Sequence, residues 1–132
     1  MSEINLHGIF PPIPTPFIKD DVAYDELAAN IGKWSKTGLK GLVAMGSNGE
    51  YVYLSAEEKR TFVAKVVELT PDPMQVIAGT GCESTKETID LTRDCADIGA
   101  QAALVVSPHY YSGRMNESAL HAYFTTVADH SP

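Results

Sequence analysis

Four short stretches of this chain gather residue types that bind anions or move protons. The first is Gly46-Ser47-Asn48-Gly49-Glu50, a hydroxyl and an amide set between two glycines. Flanking glycines permit a tight turn whose backbone N–H groups converge, which makes a small nest for a carboxylate or a phosphate. Ser47 and Asn48 add side-chain donors, and each hydrogen bond to a charged group is worth about 1.5–3 kcal/mol. The same five residues also suit a plain strand-to-helix turn with no ligand. The second stretch, Gly79-Thr80-Gly81-Cys82-Glu83-Ser84-Thr85, puts a thiol just ahead of a helical pattern, a setting that can activate a cysteine. The third, Ser107-Pro108-His109-Tyr110-Tyr111-Ser112-Gly113-Arg114, carries two adjacent phenols. A tyrosine at the end of a strand can relay a proton or hydrogen-bond a substrate oxygen. Two rings on a short loop also fit packing between helices or at a subunit contact. The fourth, Pro11-Pro12-Ile13-Pro14-Thr15-Pro16-Phe17, is rich in proline.

Several chemistries are excluded by what does not accompany these stretches. No Gly-Lys-Ser/Thr follows Gly46–Glu50, so a Walker phosphate loop is absent. The second stretch reads GxGxxS, and no acidic residue ends Val105-Val106-Ser107 to hold a ribose, so a dinucleotide site is not expected. His7, His109, His121 and His130 lack ligand spacing, so metal catalysis is not expected, and no cofactor is called for. Cys82 has no histidine at a matching strand end, and Cys95 falls on the apolar face of a helical pattern. Lys19, Lys33, Lys36, Lys40, Lys59, Lys65 and Lys86 lie on loops or predicted helices. None ends an apolar strand, where burial would depress an amine's pKa for nucleophilic work.

The elements that must carry these stretches follow from periodicity. Apolar runs of strand length occur at Gly41 to Met45, Met74 to Ala78 and Ala102 to Val106, with a weaker one at Leu6 to Phe10. Near-continuous apolar strands imply burial on both faces, the habit of parallel sheets covered by helices. Between them, Tyr24, Leu27, Ala28, Ile31 and Trp34 keep helical spacing, with Gly38 where a C-terminal cap would sit. Ser55 with Glu58 reads as a capping box, and Ser84 with Glu87 repeats it ahead of a helix that Gly99 stops. Asn116 caps a fourth helix bearing Leu120, Tyr123, Phe124 and Val127.

The outcome is an α/β chain of four β/α units in one domain, residues 1–132, recurring about every 30 residues. That is half of a (β/α)8 TIM barrel of about 250 residues; a four-stranded open sheet is the competing architecture. In either, the functional loops follow the C-terminal ends of the strands, and all four chemical stretches do so. Inward side chains such as Val43 and Val105 are expected to lose their opposite wall in a half-barrel.

Composition bounds the partners. Ten Lys+Arg against 17 Asp+Glu give a net charge of −7 with no basic block, which argues against nucleic acid. No apolar run reaches the ~20 residues of a membrane span, and no secretory signal is visible. Two cysteines without CxxC spacing suit a reduced, cytoplasmic protein.

Taken together, Pro-x-x-Thr-Pro-Phe (Pro12 to Phe17), G-[ST]-x-G-E (Gly46 to Glu50) and Ser-Pro-x-Tyr-Tyr (Ser107 to Tyr111) resemble the N-terminal half of the dihydrodipicolinate synthase / N-acetylneuraminate lyase family of pyruvate-dependent aldolases. The likeness runs from about Gly8 to Pro132. It implies a (β/α)8 barrel, usually a homotetramer, that forms a Schiff base between a lysine and pyruvate or another small 2-oxo acid. Ser47 and Asn48 would hold the substrate carboxylate. Ser47 would share a proton relay with Tyr110, which in the family often reaches towards a neighbouring subunit's site. The family's Schiff-base lysine and second catalytic tyrosine lie on later strands, beyond Pro132, so the 132-residue chain alone is expected to be inactive.

Three details look most like 4-hydroxy-2-oxoglutarate aldolase, which gives pyruvate and glyoxylate. They are Ser47-Asn48 where synthases usually have two threonines, Gly81-Cys82-Glu83-Ser84-Thr85, and Tyr110-Tyr111-x-Gly113-Arg114-Met115. The alternative within the family is 4-hydroxy-tetrahydrodipicolinate synthase of lysine biosynthesis. The alternative of another class is a non-catalytic half-barrel that self-associates through its edge strands and binds a carboxylate.

Overall fold

A computed structural model describes residues 4–132. Its centre is a parallel sheet of β3 (Gly41–Ala44), β4 (Gln75–Gly79) and β5 (Ala102–Leu104), side by side in chain order. A small antiparallel hairpin, β1 (Phe17–Ile18) with β2 (Asp21–Val22), precedes them and was not legible in the apolar pattern. The helices are α1 (Tyr24–Trp34), α2 (Ala56–Leu69), α3 (Thr85–Ile98) and α4 (Glu117–His130), each packed on the next. Parallel neighbours joined by helices in strict sequence make this an α/β half-barrel.

The expected strand at Leu6 to Phe10 is displaced. The chain runs beside β3 slightly later: Lys40 N–H donates to the Ile9 carbonyl (3.1 Å), Val43 N–H to Pro11 (2.9 Å) and Ile13 N–H to Val43 (2.9 Å). Pro12 sits opposite Val43 in parallel register. Pro11, Pro12 and Pro14 have no N–H to give, so the ladder is broken and no regular strand forms. β5 also stops at Leu104, short of the expected Val106, although Thr80 N–H still reaches the Leu104 carbonyl (3.1 Å).

Alternation along the strands divides the sheet into two faces. Leu42, Ala44, Val76 and Ala78 join Leu27, Ile31, Phe62, Val63, Val66, Leu91 and Cys95 in the core under the helices. Register places Val43 beside Ile77, and Ile77 beside Ala102, on the opposite face. Val105 lies past the end of β5, where it lines a cavity at the strand ends together with Leu104 and Val106. Val43 is itself buried, whereas Leu104 and Val106 are left open, 52% and 46% exposed.

The helix ends show where local signals work. Ser55 Oγ accepts from Glu58 N–H (3.2 Å) while the Glu58 carboxylate accepts from Ser55 N–H (2.8 Å), a complete capping box. Ser84 accepts from Glu87 N–H (3.3 Å), but only this half of the expected second box is present. Asn116 accepts from Ala119 N–H (3.0 Å), and Gly99, at φ 115°, ends α3. Gly38 is left-handed but lies beyond the end of α1, where Ser35 is the cap.

Gly79 is set by close approach. A Cβ there would lie 2.1 Å from the Met45 carbonyl oxygen, so only glycine lets the ends of β3 and β4 stay together. Gly79→Ala should therefore destabilise the fold by about 1–3 kcal/mol, an overpacking cost. Denaturant unfolding measures it, and an unchanged midpoint would contradict this account.

Candidate functional site at the C-terminal ends of the strands

β3 leaves the sheet through Met45, which is buried yet left-handed at φ 57°. Ser47–Gly49 then form one 3-10 turn, closed by Gly49 N–H to Gly46 O (2.8 Å) and Glu50 N–H to Ser47 O (3.1 Å). The left-handed positions are Met45 and Glu50 (φ 52°), not the flanking glycines that the sequence singles out. A non-glycine residue held there costs on the order of 1–3 kcal/mol and persists only where its surroundings enforce it. At Gly49 a Cβ would sit 3.2 Å from the Ile13 carbonyl oxygen, a close approach of the turn to the proline-rich segment.

The enforcing contact comes from the proline-rich segment. Buried Thr15 donates its hydroxyl to the Gly49 carbonyl (2.7 Å), locking the turn from 34 residues away. Thr15 was part of the recognised motif, but nothing in the spacing announced this bond. Ser47 and Asn48 both face solvent, and as the first residues of the turn their N–H groups have no earlier turn carbonyl to meet. Ser47 lines a cavity of about 260 Å³ with Met45, Tyr51, Gly79, Leu104 and Val106, across the ends of β3, β4 and β5.

Tyr110 and Tyr111 lie on the loop after β5, their rings 5.0 Å apart edge to face and 76% and 68% exposed. Tyr110 lines a cavity of about 290 Å³ with Tyr51, Lys59, Cys82, Glu83 and His109. Tyr51 borders both cavities, but within one chain Ser47 and Tyr110 line different ones and share no hydrogen bond. The expected relay is thus not closed inside this half-barrel. Glu83, which sequence reasoning passed over, holds the Tyr110 loop: its carboxylate accepts from the N–H groups of His109 (3.0 and 3.1 Å) and Tyr110 (3.1 Å). Those bonds hold the Glu83 carboxyl below its ordinary pKa.

The Cys82 thiol is not activated. Burial, the largest cause, and the charge of Glu87 push its pKa up, and nearby Lys59 offsets this only in part. Burial likewise pushes Cys95 up to about 11, as befits a core thiol. Around Cys82 runs a polar network: Cys82 N–H donates to Thr88 Oγ1 (2.9 Å), Thr88 and Tyr123 share a hydroxyl bond (2.8 Å), and Tyr123 donates to the Cys82 carbonyl (3.1 Å). It ties the loop after β4 to α3 and α4. None of the seven lysines is buried. Among the described residues no group of three or more His, Cys, Asp or Glu is placed to hold a metal, and no helix is long and apolar enough to cross a membrane.

Comparison with known proteins agrees with this arrangement. The chain is 47% identical over 126 residues to 4-hydroxy-tetrahydrodipicolinate synthase of Methanothrix thermoacetophila, covering 94% of this chain and 41% of that protein. The synthase of Methanocaldococcus jannaschii is 38% identical over 92% of this chain and 42% of its own length. The chain therefore spans about two-fifths of these curated relatives. Among solved structures, it superposes with a TM-score of 0.88 and 34% identity on YagE, a prophage protein of the dihydrodipicolinic acid synthase family from E. coli K12 in complex with pyruvate, covering 96% of this chain and 42% of that one. The pyruvate complex of the Acinetobacter baumannii synthase gives a TM-score of 0.88 at 32% identity, over 96% of this chain and 43% of that one. The model of the dihydrodipicolinate synthetase family matches residues 5–132, which leaves only the first four residues outside it, and the chain belongs to that family.

Proposed function

We propose that residues 1–132 are the front half of one (β/α)8 barrel domain, and that the complete protein is a class I aldolase of the 4-hydroxy-tetrahydrodipicolinate synthase type. The observation that carries this reading is the 47% identity to a synthase of that name, in a chain that keeps the Gly46–Glu50 turn at a strand's C-terminal end. The preference for 4-hydroxy-2-oxoglutarate aldolase gains no support from the relatives, which bear the synthase name, and gives way to the alternative.

In this reading the substrate is pyruvate, the molecule bound in two of the similar structures. The N–H groups and side chains of Ser47 and Asn48 receive its carboxylate, and they suit the task because they are exposed and open a turn. A lysine from a later strand attacks the keto carbon and water leaves, giving the Schiff base. Loss of a proton from the adjacent methyl then gives the enamine that attacks an aldehyde. The Ser47 and Tyr110 hydroxyls carry protons to and from these steps. Because one chain does not bring the two together, Tyr110 serves the site of a neighbouring subunit in a homo-oligomer, a tetramer by family likeness. The exposed Val52, Tyr53, Tyr110 and Tyr111 fit such a contact. Free Cys82 and Cys95 agree with a reducing cytoplasm.

The test is a steady-state assay of the complete protein. Pyruvate-dependent formation of 4-hydroxy-tetrahydrodipicolinate is the expected result. Release of glyoxylate from 4-hydroxy-2-oxoglutarate, without that product, would return the reading to the aldolase.

A further inference from the structure

We propose that Glu83 is the positioning residue for Tyr110: a carboxylate on the loop after β4 that fixes the loop after β5. This rests on the reading of Tyr110 as a proton carrier and adds a residue to it. Glu83 takes consecutive backbone donors, His109 N–H and Tyr110 N–H, into one carboxylate. Its Oε1 also lies 3.1 Å from His109 Nδ1. Two adjacent N–H groups aimed at one anion set the orientation of the peptide at the Cα of Tyr110. The position of the phenol then depends only on its own side-chain torsions.

The carboxylate stands on a rigid base. Glu83 directly precedes Ser84, the N-cap of α3, and follows Cys82, whose N–H and carbonyl are held by Thr88 and Tyr123. The loop it clamps is exposed at His109, Tyr110 and Tyr111, so little packing would replace the clamp if it were lost. A misplacement of about 1 Å in a reacting group can cost 10²-fold in rate, which is why a residue that touches no substrate can govern turnover.

The experiment uses the complete protein with Glu83→Ala, Glu83→Gln, Tyr110→Phe and the double variant Glu83→Ala/Tyr110→Phe. Glu83→Ala should lower kcat about tenfold or more while KM for pyruvate stays within about twofold, since the carboxylate of pyruvate is held at Ser47 and Asn48. Glu83→Gln, which keeps a carbonyl acceptor, should restore most of the rate. Glu83→Ala should add nothing once Tyr110→Phe is present, because the two act through one group. Amide hydrogen exchange at His109 and Tyr110 should quicken in Glu83→Ala whatever happens to activity. Unchanged kcat in Glu83→Ala beside an impaired Tyr110→Phe overturns the clamp alone, as do multiplicative losses in the double variant. An unimpaired Tyr110→Phe overturns the proton-carrier role itself, and the positioning role with it.

Discussion

In the complete protein Ser47→Ala is expected to lower kcat by about 10²–10³-fold, within the range that a positioned proton-transfer group contributes. The expectation is sharp because the substitution is structurally light. Ser47 is exposed, and its hydroxyl makes no hydrogen bond to the described protein, so its loss removes neither packing nor a buried partner. The turn is held instead by backbone bonds, by Thr15 Oγ1 on the Gly49 carbonyl and by close packing at Gly49. Thermal unfolding should therefore be unchanged while turnover falls. Full activity in Ser47→Ala would remove the hydroxyl from the mechanism. A lowered melting temperature with proportionate loss of activity would assign Ser47 a structural role.

The second large effect is all or nothing. When the complete protein is treated with pyruvate and borohydride, then digested and mapped by mass, the reduced pyruvyl adduct should lie on a lysine beyond residue 132. A Schiff-base lysine must be neutral near pH 7, and burial or a cationic neighbour depresses its pKa to make it so. The seven lysines here lack that setting. Lys65 reaches Glu68 at 2.9 Å, Lys86 pairs with Asp90, and Lys59 lies over the Tyr51 ring at 5.7 Å. An adduct on any of these seven would refute the placement of the nucleophile on a later strand and the division of labour between the two halves of the barrel. Its absence everywhere in the complete protein would refute Schiff-base chemistry.

Much of this architecture was legible because the signals are local. β3 and β4 were bounded to within a residue or so by their apolar runs, and the Ser55 and Asn116 caps and the Gly99 stop were read at single residues. Capping and periodicity operate over three or four positions, a distance at which the chain's own order dictates who meets whom. The placement of the Gly46–Glu50, Gly79–Thr85 and Ser107–Arg114 stretches at the strands' C-terminal ends followed from β/α alternation alone.

What escaped the sequence lies at longer range. Thr15 meets Gly49 across 34 residues, Glu83 meets His109 and Tyr110 across 26 and 27, and Thr88 meets Tyr123 across 35. Left-handed Met45 and Glu50 bend a turn that glycines seemed sufficient to make. Whether Cys82 was a reactive thiol or a half-buried one depended on α3 and α4 closing over its loop. By itself, then, the sequence determined the repeating units, their caps and the residues able to do chemistry. Only the tertiary structure decided which loops hold one another, because a hydrogen bond between loops exists only once sheet register and helix packing have brought its two ends within about 3 Å.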